Sequence, residues 1–368
     1  MGYPRLNLNI EPLKHGGDLD KVQRENKAPI VWLDLSSAVN KEPWPIPTIS
    51  PEKWMALPDL YQLNQAASVY YGRPNGLAVS GTQQAIEWLP VILPQVTNAF
   101  LSRKSIKVML PDVGYQEHTQ AWEKWGYEVE YYHSLAELLS ISWNIVVVIT
   151  PNNPTAEWAE NTVLDQLASL AKKRSGYLLV DEAFIDSTPQ NSLLNQEITV
   201  NWPDELIVLR SVGKFFGLAG ARVGFCFASN SVLNALKQVV GPWPIATVSA
   251  HIVTCALQDT QWQKQANVSL ITRQARFQRS IEPLLNRWFE CLGGKFYWRR
   301  SHFFFSVFFD GNDEIDVFKA LQNQGVHTRL GDGWLRIALP ETEAFSLLEE
   351  RIGIILDNAL LKNKGKIE

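Results

Sequence analysis

Seven short apolar runs recur between residues 76 and 229, and most are separated by segments with helical spacing. That alternation limits the possible folds more than any other feature of the chain. The runs are GLAVS (76–80), IKVML (106–110), YEVEYY (127–132), NIVVVIT (144–150), YLLVDEA (177–183), ELIVLRS (205–211) and VGFCFAS (223–229). Several are continuously apolar, as strands are when both faces of a mainly parallel sheet are covered. Segments such as TQQAIEWLPVIL and TVLDQLASLAKK place apolar residues three and four apart, which gives a helix one apolar face. The pattern predicts an α/β fold: a large domain with a mainly parallel seven-stranded sheet between helices.

The remainder of the 368 residues reads differently. Residues 1–50 are rich in Pro, Asn and Asp and predict an N-terminal arm laid over the body. The large domain is expected over 51–270, with GPWPI (241–245) as punctuation and a long helical stretch from about 246 to 290. A small α+β C-terminal domain is expected over 271–368. It holds FYWRRSHFFFSVFFD, EIDVFKALQNQG, a strand pair turning at Gly331-Asp332-Gly333, and a final helix from about 341 to 362.

Charge and cysteine usage narrow the partners. Lys and Arg number 34 against 38 Asp and Glu, a net charge of −4 without the basic face that nucleic-acid binding requires. Cys226, Cys255 and Cys291 are far apart in sequence and form no CxxC pair, against a zinc site or a disulfide framework. The N-terminus carries no signal or transit pattern, and no run of 18 apolar residues occurs. The expectation is a cytoplasmic protein, with no metal and no membrane partner.

Several catalytic signatures are absent, among them G-x-x-x-x-G-K-[ST], G-x-G-x-x-G after the first strand, H-E-x-x-H and G-x-S-x-G. What remains is a set of polar residues at strand ends, where open α/β sheets bind ligands. Ser211, Lys214 and Arg222 stand at offsets of three and eight in LRSVGKFFGLAGARVG (209–224). A lysine desolvated there beside a second cation would have a lowered pKa and act on a carbonyl. Ser211 and Arg222 would suit a phosphate; a lone lysine in such a loop is otherwise ordinary. Asp181 closes YLLV, suited to a protonated pyridine nitrogen, or equally to a metal or a helix cap. Asn153, in TPNNPT, either contacts a ligand oxygen or marks a turn. Gly81, Thr82 and Gln83 open a helix, either as an anion cradle or as a plain cap. Tyr115 follows another strand and would stack on a ring or do nothing. Together these are the parts of a pyridoxal 5'-phosphate site.

On these residues the chain resembles the fold-type I pyridoxal phosphate enzymes, the aspartate aminotransferase superfamily, in its histidinol-phosphate aminotransferase-like branch. KHGGDL (14–19), WLDLSS (32–37), DEAFID (181–186) and GPWP (241–244) extend the likeness over nearly the whole chain and narrow it to the threonine-phosphate decarboxylase group of cobalamin biosynthesis. The resemblance implies that Lys214 carries the cofactor as a Schiff base, Asp181 pairs with the pyridine nitrogen, Asn153 contacts the phenolic oxygen and Tyr115 stacks. It makes Gly81, Thr82, Ser211 and Arg222 the phosphate cradle, with Gln83 beside them, and Arg336 the substrate-carboxylate arginine. Two departures weaken an aminotransferase reading: Phe184 stands where many relatives carry Tyr, and Leu57-Pro58-Asp59 lacks a tyrosine lent to the neighbouring subunit. Family members are homodimers.

The substrate expected is a phosphorylated amino acid. Arg329 and Arg336 flank one turn, and two fixed cations suit a ligand with two anionic groups. Arg329 is as readily an exposed strand residue. His15 adds a donor toward the phosphate or serves structure alone. The expected reaction is decarboxylation of L-threonine O-3-phosphate to 1-amino-2-propanol O-2-phosphate. A histidinol-phosphate-type transamination is the alternative.

Overall fold

The computed structural model describes residues 13, 15–25, 31–97, 106–195 and 202–364. Lys14 of the early motif lies outside these. The described chain divides into two compact units, one combining residue 13 with 44–260 and the other combining 15–43 with 261–364.

In chain order the strands are β1 (Leu33–Asp34), β2 (Leu77–Val79), β3 (Val108–Pro111), β4 (Val129–Tyr132), β5 (Ile145–Ile149), β6 (Tyr177–Asp181) and β7 (Leu206–Ser211). Then follow β8 (Gly224–Phe227), β9 (Phe296–Arg300), β10 (Phe304–Phe309), β11 (Val326–His327), β12 (Arg329–Gly331) and β13 (Trp334–Ala338).

The first unit is built on a seven-stranded sheet of order β2-β8-β7-β6-β5-β3-β4. All seven apolar runs supply its strands. Every residue of β5, β6 and β7 is buried, so these central strands are covered on both faces. Pairing is parallel from β7 through to β4, whereas β8 runs antiparallel to both of its neighbours. That reversal matters for the site: the start of β8 lies at the edge where the other strands end. Helix Asn161–Lys173 buries Leu164, Leu167, Ala168 and Ala171, one face at spacings of three and four, and leaves Lys172 and Lys173 in its last turn. Helices Gly81–Val96 and Asn230–Val240 contribute Ile86, Leu89, Leu93, Val232 and Leu236 to the same core as Val108, Val147 and Leu179.

The second unit holds an antiparallel sheet of order β12-β13-β10-β9. Phe305 of β10 stacks on Phe277 at 4.0 Å between ring centroids, and helix Phe345–Lys364 closes the fold. The long helical stretch expected from about 246 to 290 consists of Thr247–Gln258, Thr260–Arg276, a π-turn at Phe277–Ile281 and Glu282–Leu292. Residues 15–43, read from sequence as part of an arm laid over the body, cluster with this C-terminal unit. Here β1 pairs in parallel with β11, and Asp18 Oδ1 meets His327 Nε2 at 2.8 Å.

Candidate active site

At the carboxyl edge of the large sheet lies a cavity with about 660 Å³ of empty space, partly open to solvent. Its lining includes every first-unit site residue named above: Gly81, Thr82, Gln83, Tyr115, Asn153, Asp181, Ser211, Lys214 and Arg222. Each stands at or just beyond a strand end, with Gly81 after β2, Tyr115 after β3, Asn153 after β5, and Asp181 and Ser211 closing β6 and β7. Arg222 reaches the same edge because β8 is reversed and Arg222 precedes it.

The anion end of the cavity is shaped by backbone. Gly81 begins the 16-residue helix Gly81–Val96, whose N-terminus no side chain caps. Its first N–H groups and the positive end of the helix dipole therefore suit a negative group. Gly81 has φ +68°, and a Cβ there would lie 2.8 Å from the Arg222 guanidinium. A Cβ on Gly224 would lie 2.7 Å from the Thr82 nitrogen. Both positions must lack a side chain for helix start, guanidinium and β8 to approach this closely. Arg222 itself is left-handed, with φ 52°, at the end of the Ala219–Ala221 turn.

Asp181 in the same lining is 3% exposed. Its Oδ1 accepts the Ala183 N–H at 3.0 Å, and its Oδ2 lies 2.9 Å from His118 Nε2. His118 is a residue the sequence reading missed, and it stands 63 positions from its partner. The signal was its place three residues after Tyr115, one helical turn on: the rings of Tyr115 and His118 lie 6.2 Å apart, edge to face. Glu117 was also missed. It accepts from Gln83 Nε2 at 2.5 Å, and the Gln83 Oε1 accepts from the Tyr115 hydroxyl at 3.3 Å, so Gln83 anchors Tyr115. Lys214, half-buried, holds its ammonium 5.2 Å from the centre of the buried Phe184 ring, within cation–π range.

Directly behind this wall the chain neighbours of Asp181 and Ser211 form a buried charged cluster. Arg210 NH1 donates to Ser192 Oγ at 2.8 Å and lies 3.3 Å from Glu182 Oε2, while NH2 pairs with Asp186. Ser192 Oγ and the Leu193 N–H donate to Glu182 at 2.5 and 2.7 Å. The Arg210 guanidinium also covers the Tyr71 ring at 4.5 Å. Burial, the largest influence, pushes the Glu182 and Asp186 carboxyls up despite the Arg210 charge.

The three remaining candidates belong to the second unit. Arg329 and Arg336 face each other across the β12–β13 pair. Arg336, 6% exposed, donates through NH2 to the Ser36 carbonyl at 2.6 Å. Burial and then the Arg329 charge push the Arg336 guanidinium down to about 9. His15 is exposed, and the next residue but one, Gly17, donates its N–H to Ser36 Oγ at 2.8 Å. Among the described residues no group of three or more His, Cys, Asp or Glu side chains is arranged to hold a metal ion, and no helix is long and apolar enough to cross a membrane.

A carboxylate, a helix-borne anion cradle, a lysine and a ring-bearing side chain lining one cavity define the pyridoxal phosphate type of site, and the residues present fit that group. The chain belongs to the aminotransferase class I and II family, whose model matches residues 56–349. It is 38% identical over 278 residues to a threonine-phosphate decarboxylase of Pseudomonas aeruginosa, covering 75% of this chain and 78% of the relative. A threonine-phosphate decarboxylase of a Sinorhizobium species is 34% identical, covering 75% and 80%. A histidinol-phosphate aminotransferase of Pectobacterium atrosepticum is 34% identical over a shorter stretch, 50% of this chain and 49% of the relative. In fold the chain matches the histidinol-phosphate aminotransferase of Sinorhizobium meliloti in complex with pyridoxal-5'-phosphate, with a TM-score of 0.73 at 17% identity over 97% of this chain and 99% of the other.

Proposed function

We propose that this protein is a pyridoxal 5'-phosphate-dependent decarboxylase that converts L-threonine O-3-phosphate to 1-amino-2-propanol O-2-phosphate, a linker for cobalamin. The observation that carries the reading is coverage: both threonine-phosphate decarboxylases align over three quarters of the chain, whereas the Pectobacterium aminotransferase aligns over half. Phe184 in the cavity wall agrees with it, since a phenyl ring gives the cofactor's phenolic oxygen no hydroxyl partner. The enzyme would work in the cytoplasm as a homodimer.

When bound, the cofactor draws into its ring the electron pair left at the substrate Cα. Lys214 would carry the cofactor, and Gly81, Thr82, Ser211 and Arg222 would hold its phosphate. Asp181, oriented by the Ala183 N–H and His118, would favour a protonated ring nitrogen. Tyr115, anchored by Gln83, would cover the ring, and Asn153 would donate to the phenolic oxygen. Arg336 would grip the substrate carboxylate, and Arg329 with His15 the phosphate. The grip of Arg336 on the carboxylate would decide the reaction by fixing the orientation in which the substrate Cα is presented. Lys214, as its ammonium, would be the acid that returns a proton to the substrate Cα.

Incubating the cofactor-loaded protein with threonine phosphate and following carbon dioxide release tests the reading. Release is expected. Formation of glutamate from an amino donor and 2-oxoglutarate, with no carbon dioxide from threonine phosphate, would replace it with a histidinol-phosphate-type transaminase.

A further inference from the structure

Three segments of the second unit converge on Ser36. Its backbone carbonyl takes the Arg336 guanidinium at 2.6 Å, its hydroxyl takes the Gly17 N–H at 2.8 Å, and a Cβ on Gly16 would lie 2.2 Å from its carbonyl oxygen. The Gly16-Gly17 backbone therefore runs directly over Ser36 and carries His15 to the same place. Ser36 also donates its N–H and hydroxyl to Asp34 Oδ1 at 3.0 and 2.6 Å. The other oxygen of Asp34 lies 4.0 Å from Lys41 Nζ.

That last pair is loose. A distance of 4.0 Å is the outer limit of an ion pair and beyond a hydrogen bond. Yet the Lys41 side chain is only 19% exposed, an unusual place for an ammonium with so weak a tie. Burial, most of all, and the Arg336 charge lower the Lys41 pKa, against the pull of Asp34 and Glu341. Arg329 adds its charge to that of Arg336 from the facing position on β12. Lys41, Arg329 and Arg336 thus lie in one locality with Asp34 and Glu341, and the two arginines face each other across the β12–β13 pair. Like charges so arranged repel unless an anion lies among them.

We propose that Lys41 is a specificity residue of the substrate site, a third cation that, with Arg329 and Arg336, receives an amino acid bearing both a carboxylate and a phosphate. In the free protein its ammonium rests near Asp34, and on binding it moves to the second anionic group. The inference rests on the decarboxylase reading for the identity of the ligand, and on the second unit alone for the residue.

The test is calorimetric binding of L-threonine O-3-phosphate, L-threonine and inorganic phosphate to the cofactor-loaded protein, Lys41→Gln and Lys41→Arg. Both variants keep a long polar side chain at a partly exposed position, so the fold is retained. Lys41→Gln should weaken threonine phosphate by about 10- to 100-fold, the worth of a charge-assisted contact, and change threonine by less than about twofold. Lys41→Arg should recover most of the loss. Inorganic phosphate should bind the parent weakly and Lys41→Gln more weakly still. Equal weakening of threonine phosphate and threonine, or no weakening of either, overturns the proposal. Carbon dioxide release by the parent is scored separately. If the parent releases none while Lys41→Gln still loses selectivity for the phosphorylated ligand, the decarboxylase reading falls and the role of Lys41 stands.

Discussion

Arg210→Met removes the only cation named in the cluster behind the cofactor wall. It leaves Glu182 and Asp186, 0% and 1% exposed, as buried carboxylates without their guanidinium. Breaking a buried pair by deleting one partner costs about 3–5 kcal/mol, because the remaining charge can neither pair nor reach water. At about 2–4 °C per kcal/mol for a unit of this size, the melting temperature should fall by roughly 6–20 °C. The pH dependence gives a second check. Burial holds both carboxyls above their ordinary values, so the folded chain binds more protons than the unfolded one. Their contribution is then full below the unfolded pKa of about 4 and is lost as pH rises through the folded value. Without Arg210 that upward shift grows, so the variant should lose more stability at about pH 8 than at about pH 5.5. Thermal unfolding of both proteins at the two pH values, followed by circular dichroism, decides the matter. A drop below about 3 °C at the higher pH, or equal drops at both, would refute the reasoning.

Lys214→Ala should abolish turnover and the absorbance band of lysine-bound cofactor; near-normal turnover would remove Lys214 from the chemistry. Asp181→Asn should keep the fold and weak cofactor binding while turnover falls by orders of magnitude, and an unchanged rate would make Asp181 structural. Arg336→Gln should weaken every ligand with an α-carboxylate by about one to two decades, whereas Arg329→Gln should weaken threonine phosphate and spare threonine, as binding of both ligands to both variants would reveal. Gly81→Ala puts a side chain at φ +68°, 2.8 Å from Arg222, so an absorbance titration should find weaker cofactor binding; unchanged affinity would mean the phosphate is held elsewhere.

Much of the first unit was legible in the amino-acid order. Buried parallel strands need continuous apolar runs, so β5, β6 and β7 announced themselves in IVVVI, YLLVD and LIVLRS. Ligands bind open sheets at strand ends, so polar residues following those runs were legible as site residues, and Asp181, Ser211, Lys214 and Arg222 line one cavity. What escaped depends on contacts between distant segments. A strand of GFCF reads alike in either direction, yet only a reversed β8 brings Arg222 to the edge where Gly81 begins its helix. His118 orients Asp181 across 63 positions, a distance no local spacing encodes. Glu182 and Arg210 gave no warning that they would be buried together, because alternation along a strand says which face a residue takes and not what waits there. Residues 15–43 carried too few apolar positions to reveal a home. Only backbone pairing of β1 with β11, and the crossing of Gly16-Gly17 over Ser36, joined that segment to the C-terminal unit and set Lys41 near Arg336.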